Sequence, residues 1–229
     1  MSRPARIGAA AVGALVALGA LWAVLQAVAG TTSEGRLALA GPVRAVHLEV
    51  DQGDLRIAAG GRDVTADARE RSFLVGLSRE AASDDGEARL RWSCRLWTSC
   101  RADVRAGTPA DARVRARTGF GAVHVEGPAG DLDIATRGGE VEGAGLTAGR
   151  ARVEARGDVR LAFVRAPVAV EVDASAGDVE IRVPAGAYRI EAATGGGTVS
   201  VRGLRHDPAA ARSIVVDTSA GDVLMAAAG

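Results

Sequence analysis

The sequence predicts an all-β fold, a β-solenoid of parallel β-helix type with coils of about 18–20 residues, preceded by one transmembrane helix. Three observations carry that expectation. A Gly-Asp-hydrophobe phrase recurs along the chain, and SAGDV is written identically at residues 175–179 and 219–223. Valine stands two residues after the turn glycine in successive copies, and a long uncharged stretch opens the chain. A β-sandwich of antiparallel hairpins is the alternative, because it too would alternate polar and apolar residues. It gives no reason for one column to stay valine.

The N-terminal segment comes first. Arg3 and Arg6 precede residues 7–30, IGAAAVGALVALGALWAVLQAVAG, which contain no charge. At about 1.5 Å per residue, a helix of this length crosses the roughly 30 Å apolar layer. The next charges, Glu34 and Arg36, follow the run. The positive-inside rule then holds the N-terminus in the cytoplasm and exports the rest as a single-pass membrane protein. A signal peptide cut near Ala29 is the alternative, since Ala27-Val28-Ala29 offers a cleavage sequence and would release a secreted protein. The run is longer than the roughly 7–15-residue apolar core of such peptides, which favours the anchor. Residues 1–30 are thus assigned to a cytoplasmic stub and anchor, 31–42 to a linker, and 43–229 to an extracytoplasmic β-repeat domain.

The repeat aligns on one turn glycine per copy: Gly121, Gly139, Gly157, Gly177, Gly197 and Gly221, with intervals of 18, 18, 20, 20 and 24 residues. An earlier copy fits at Gly53. Two residues after the glycine stand Val123, Val141, Val159, Val179, Val199 and Val223, read as core. Four residues after it the chain is apolar in all but Gly143, and the position between is mostly polar, which is the period-two mark of a strand with one buried face. A second strand lies upstream, through Val114/Ala116, Leu132/Ile134, Ala151/Val153, Val170/Val172, Ile190/Ala192 and Ile214/Val216. The unit is strand, tight turn, strand, connector. Each glycine permits a positive φ where the chain reverses. The Asp that follows (Asp54, Asp158, Asp178, Asp222) can accept a bond from a turn amide. The phrase reads as structural.

Residues 61–109 break the pattern. They alternate at 62–68 and 88–92 around a polar SREAASDDG turn, and read as a degenerate coil with an excursion hairpin. Cys94 and Cys100 lie here, and in an exported domain they are expected to form one disulfide. Departures from a repeat are where function concentrates, so Trp92 and Trp97 are the candidate interaction residues. A tryptophan covering the open end of the core is the other reading. GLRHDPAAAR, residues 203–212, is a second excursion. The closing LMAAAG, residues 224–229, is apolar for a last coil and points to end-to-end pairing or docking onto another protein.

Composition excludes several function classes. Twenty-eight basic residues balance twenty-eight acidic ones, so no net field recruits nucleic acid. Aromatic residues are 3% of the chain, few for stacking sugars or bases. The three histidines stand in no ligand spacing, which argues against zinc. Stacking would bring Glu140, Asp158 and Asp178 into one column at about 4.8 Å steps, a geometry a cation could bridge. The calcium nonapeptide GGxGxDxUx is missing, however, and Glu142, Arg160 and Glu180 alternate in sign as cross-strand partners would. No metal, cofactor or catalytic residue is expected.

The apolar N-terminal run, VHLEVDQGDLRI, the cysteine pair, RAGTPADARVRARTG, SAGDVEIRVPAG and TSAGDVLM together resemble the bacterial "putative-adhesin" family of exported β-strand-repeat proteins. The likeness covers about residues 43–229. Arg as the sole strong base, with Lys and Asn absent, gives it an actinobacterial-like cast. The resemblance implies an exported or membrane-anchored protein without catalytic residues. Together these readings imply a non-enzymatic module for envelope adhesion, scaffolding or sensing. Its partner would be an envelope protein or cell-wall component, and it would reach the membrane through its own N-terminal helix. A self-assembling surface filament is the alternative. A polysaccharide-active β-helix enzyme is a further one, but it would need clustered carboxylates in a ring-lined cleft, and Tyr188 is the only tyrosine.

Overall fold

The protein is described by a computed structural model covering residues 30–73, 77–94 and 100–228. The expected membrane helix and Trp97 lie outside the described residues. Among the described residues no helix is long and apolar enough to cross a membrane. The chain is all-β. Its strands are β1 (Gly30–Leu39), β2 (Ala45–Gln52), β3 (Leu55–Gly61), β4 (Val64–Phe73), β5 (Leu77–Asp84), β6 (Glu87–Cys94) and β7 (Cys100–Pro109). The series continues with β8 (Arg113–Phe120), β9 (Val123–Glu126), β10 (Leu132–Thr136), β11 (Val141–Leu146), β12 (Arg150–Ala155), β13 (Val159–Phe163) and β14 (Ala169–Ala174). It ends with β15 (Val179–Val183), β16 (Ala187–Thr194), β17 (Val199–Arg202), β18 (Arg205–His206), β19 (Ser213–Thr218) and β20 (Val223–Ala227).

These strands form two 10-stranded sheets, ordered β1-β4-β7-β3-β9-β11-β13-β15-β20-β17 and β18-β16-β19-β14-β12-β10-β8-β2-β6-β5. Both sheets feed one hydrophobic core. The chain crosses from one sheet to the other at each turn glycine, so a strand pair such as β8/β9 makes one rung spanning both walls. Neighbouring rungs pair in parallel and in register. Val123, Val141, Val159, Val179, Val223 and Val199 are aligned in that order. Five of the six are buried; burying a valine contributes roughly 1.5–3 kcal/mol as an upper bound.

Spatial order departs from chain order at both ends. The β19/β20 rung inserts between β14/β15 and β16/β17, whereas a simple sequential stack would place it last. The chain passes over that place through residues 184–186, between β15 and β16, and the longer 203–212 connector then brings it back by one rung to β19. This corrects the reading of the C-terminal LMAAAG as an exposed end: Val223 is 1% and Met225 0% exposed, because β20 is flanked on both sides. It also corrects Val199 as a core residue. That valine sits in the terminal rung and is 42% exposed.

At the other end, β6/β7 is a full rung stacked outside β2/β3. Beyond it the pairing turns antiparallel: β4 on β7, β1 on β4, and β5 on β6. Residues 31–42, expected as a linker, instead supply most of β1. The polar SREAASD stretch, expected as a turn, is strand β5. It carries no alternation because it is an edge strand with little buried on either face. The turn itself is only Asp85-Gly86, at φ 47° and 79°, the two-residue form that suits hairpin twist.

Candidate functional site

The recurring Gly-Asp phrase is the first feature to test for chemistry. Its glycines stack directly. A Cβ added to Gly121 would overlap the Gly53 carbonyl, one on Gly139 the Gly121 carbonyl, and one on Gly221 the Gly177 carbonyl. Positive φ values, 151° at Gly121 and 146° at Gly139, compound the constraint. The aspartates form a second ladder beside the first. The Asp54 amide donates to Asp103 Oδ1 at 3.2 Å, and the Ala122 amide to Asp54 Oδ1 at 3.1 Å. Further along, the Asp178 amide donates to Asp158 Oδ1 at 3.1 Å, the Asp222 amide to Asp178 Oδ1 at 2.9 Å, and the Thr198 amide to Asp222 Oδ1 at 2.8 Å. Each carboxylate thus holds the turn amide of the rung stacked on it. These bonds, first the Thr198 amide and then its hydroxyl, hold the Asp222 carboxyl below its ordinary value.

A threonine three residues before the glycine completes the corner, a column that the valine and glycine alignment alone does not reveal. Thr118, Thr136 and Thr194 donate from Oγ1 to the carbonyls of Gly53, Gly121 and Gly221 on the adjoining rung. The phrase is a clamp between rungs. Among the described residues no group of three or more His, Cys, Asp or Glu is placed to hold a metal ion.

The outward faces carry the remaining charges. Glu142, Arg160 and Glu180 do align across strands, but Arg160 turns to Asp158 at 2.7 Å and Glu140 at 3.5 Å. Glu180 pairs with Arg182 and Glu142 with His124. On the second sheet, His47 lies 2.8 Å from Glu87. Burial lowers the His47 pKa against the pull of Glu87, and Arg115, Arg89 and Arg117 add to the lowering. A groove of about 290 Å³ opens beside it, and another of about 360 Å³ runs past Arg117, Arg137 and Arg156 with Asp51, Glu154 and Asp173. Both are lined by mixed charge.

At the N-terminal end, Cys94 and Cys100 are disulfide-bonded, tying β6 in one wall to β7 in the other. Trp92, expected as an interaction residue, is 1% exposed and packs in the core, with Nε1 unpartnered among the described residues. Glu70 points inward from β4 and meets Arg79 of β5 at 3.4 Å, an ion pair bridging the walls. At the C-terminal end, Tyr188 is buried and donates from Oη to the Pro184 carbonyl at 2.8 Å. Val199 and Val201 remain 42% and 43% exposed.

This geometry defines an all-β protein built from parallel repeat strands in two sheets around one core. A solved structure shares that fold: a "putative cell adhesion protein" from Clostridium sporogenes ATCC 15579 matches with a TM-score of 0.54 at 12% identity, over 86% of this chain and 100% of that one. A "putative adhesin" from Bacteroides fragilis NCTC 9343 gives a TM-score of 0.43 at 12% identity, over 85% and 97%. No protein-family model matches the sequence, and no curated protein matches it.

Proposed function

We propose that this chain is a non-enzymatic module of the cell envelope, held to the membrane by residues 1–30 and acting in adhesion, scaffolding or sensing through residues 43–229. In this reading the two sheets are the walls of a β-solenoid, rigid along its length. The observation that carries the proposal is the fate of the repeated acids. Asp54, Asp158, Asp178 and Asp222 are engaged with backbone amides of the next rung, so the recurring polar phrase serves rigidity and not chemistry. The fold shared with the Clostridium sporogenes protein supports the same direction. A partner would meet broad sheet faces or the rung ends.

The test is topology. A C-terminal epitope on the full chain should stay with the membrane fraction, and protease added outside spheroplasts should remove it. An epitope that is protected until the membrane is lysed would overturn the proposal. Cells lacking the protein should lose adherence or surface binding, with their cytoplasmic metabolism unchanged.

A further inference from the structure

The two ends of the stack are finished differently. At the N-terminal end, β5 turns a charge inward, Arg79 onto Glu70, and β1 shows Glu34 and Arg36 outward, both ion-paired to β4. Inward charges and polar edges are how sheets avoid adding strands. Among the described residues, the C-terminal end has no such inward charge. In β17 the inward residues are Val199 and Val201, 42% and 43% exposed, where the matching Val223 and Met225 are 1% and 0%. The 203–212 excursion covers the first half of β16: β18 pairs with Ala187 and Tyr188, His206 Nδ1 accepts from the Ile190 amide at 3.2 Å, and Leu204 packs against the core. Ile190 and Ala192 are partly buried core-facing residues of β16, and no described rung lies beyond them.

The edge of β17 is self-complementary. The Val223 amide donates to the Thr198 carbonyl, so Thr198, Ser200 and Arg202 direct their peptide groups towards β20. By strand alternation the amides and carbonyls of Val199 and Val201 face away from β20, towards the open edge. An antiparallel copy centred on Ser200 sets Val199 opposite the partner's Val201 as a hydrogen-bonded pair. The same register sets Ser200 opposite the partner's Ser200 and Arg202 opposite the partner's Thr198. No like charges meet.

We propose that this end docks a second copy of the chain, with β17 pairing antiparallel across a two-fold axis at Ser200 so that the first sheet runs on into the partner, while β18 closes the start of the second. Such an interface is isologous and closes as a dimer, not a filament. Chain direction adds a consequence that rests on the membrane-anchor reading. Gly30 enters at β1, the edge of the first sheet opposite β17 in a row of ten strands. Nine steps of about 4.8 Å put the docking edge some 43 Å from the point of anchorage. The two anchors of the dimer then face opposite ways, which makes the contact a homophilic bridge between facing membranes.

The full chain tests this in detergent micelles and in lipid vesicles. Wild-type protein should sediment as a concentration-dependent dimer, and Val201→Glu should weaken that dimer at least tenfold with an unchanged melting curve at concentrations where both proteins are monomeric. Ser200→Cys should cross-link to a dimer on oxidation, because opposed positions of this kind lie about 4.5 Å apart, within disulfide reach. Vesicles carrying wild-type protein should clump, and those carrying Val201→Glu should stay dispersed. A monomer at every concentration together with an uncross-linked Ser200→Cys would overturn the dimer, and open-ended growth would overturn its closure. Dimers that form in micelles and never clump vesicles would overturn the facing-membrane geometry, while protease accessibility on spheroplasts judges export separately.

Discussion

Glycine in this chain acts at two kinds of position, and they should respond differently to an added methyl group. At Gly139, a Cβ meets the Gly121 carbonyl and φ is 146°, so Gly139→Ala costs roughly 1–3 kcal/mol in strain before any rung displacement. Thermal melting should show a loss of at least several degrees. At Gly196 an added methyl would meet nothing within 4 Å, so Gly196→Ala should stay within about 1 kcal/mol of wild type. Asp222 gives a pH signature. Its folded pKa lies below the ordinary 3.8, so its stabilising contribution is full above that value and is lost as pH falls through the folded pKa. Melting measured across that acid window should fall less steeply in Asp222→Asn, whose amide does not titrate; equal slopes would dismiss the ladder as a source of acid sensitivity. The glycine and aspartate columns were legible in the sequence because each repeats at fixed spacing. Which amide each aspartate holds was not, since the partner belongs to another rung.

At the scale of elements, the strands flanking the turn glycines were readable because one face is buried and the period is two. Leu132 and Ile134 in β10, and Val170 and Val172 in β14, all lie in the core as their alternation implies. The edges were not readable. β5 and β1 bury little, so pairing alone defines them and their sequences look like loop. Trp92 misled for a related reason: it lies in a stretch that departs from the repeat, yet β6 is itself a rung with an inward face. The disulfide at the mouth of this rung closes a ring of seven residues from Cys94 to Cys100. In the chain-entropy treatment so small a ring contributes about 2 kcal/mol. The double substitution Cys94→Ser with Cys100→Ser should lower the melting midpoint by roughly 4–8 °C, and the extra amide exchange should appear in β6, β7 and β4 first. Uniform loosening along the whole stack would contradict a local role.

For the molecule as a whole, the number and period of rungs were visible in the chain, but their order was not. Self-similarity says that rungs stack, and any rung fits against any other. Length of connector does not announce it, since residues 184–186 carry the chain past the empty place and the ten at 203–212 bring it back; the inserted rung brings the richer core face of Ile214, Val216, Val223 and Met225. Paired cysteines can read the order directly. Asp178→Cys with Asp222→Cys should cross-link within one chain, and Asp178→Cys with Thr198→Cys should not. The reverse result would restore a sequential stack.

The inserted rung also sets a schedule. Synthesis from the N-terminus delivers β16 and β17 before β19 and β20, yet the place between them and β14/β15 belongs to the latecomers. Maturation cannot finish by simple growth at the tip; the final segment has to wedge itself into a berth already bordered on both sides. Until it does, β14 and β16 in one wall and β15 and β17 in the other lack the neighbour they share.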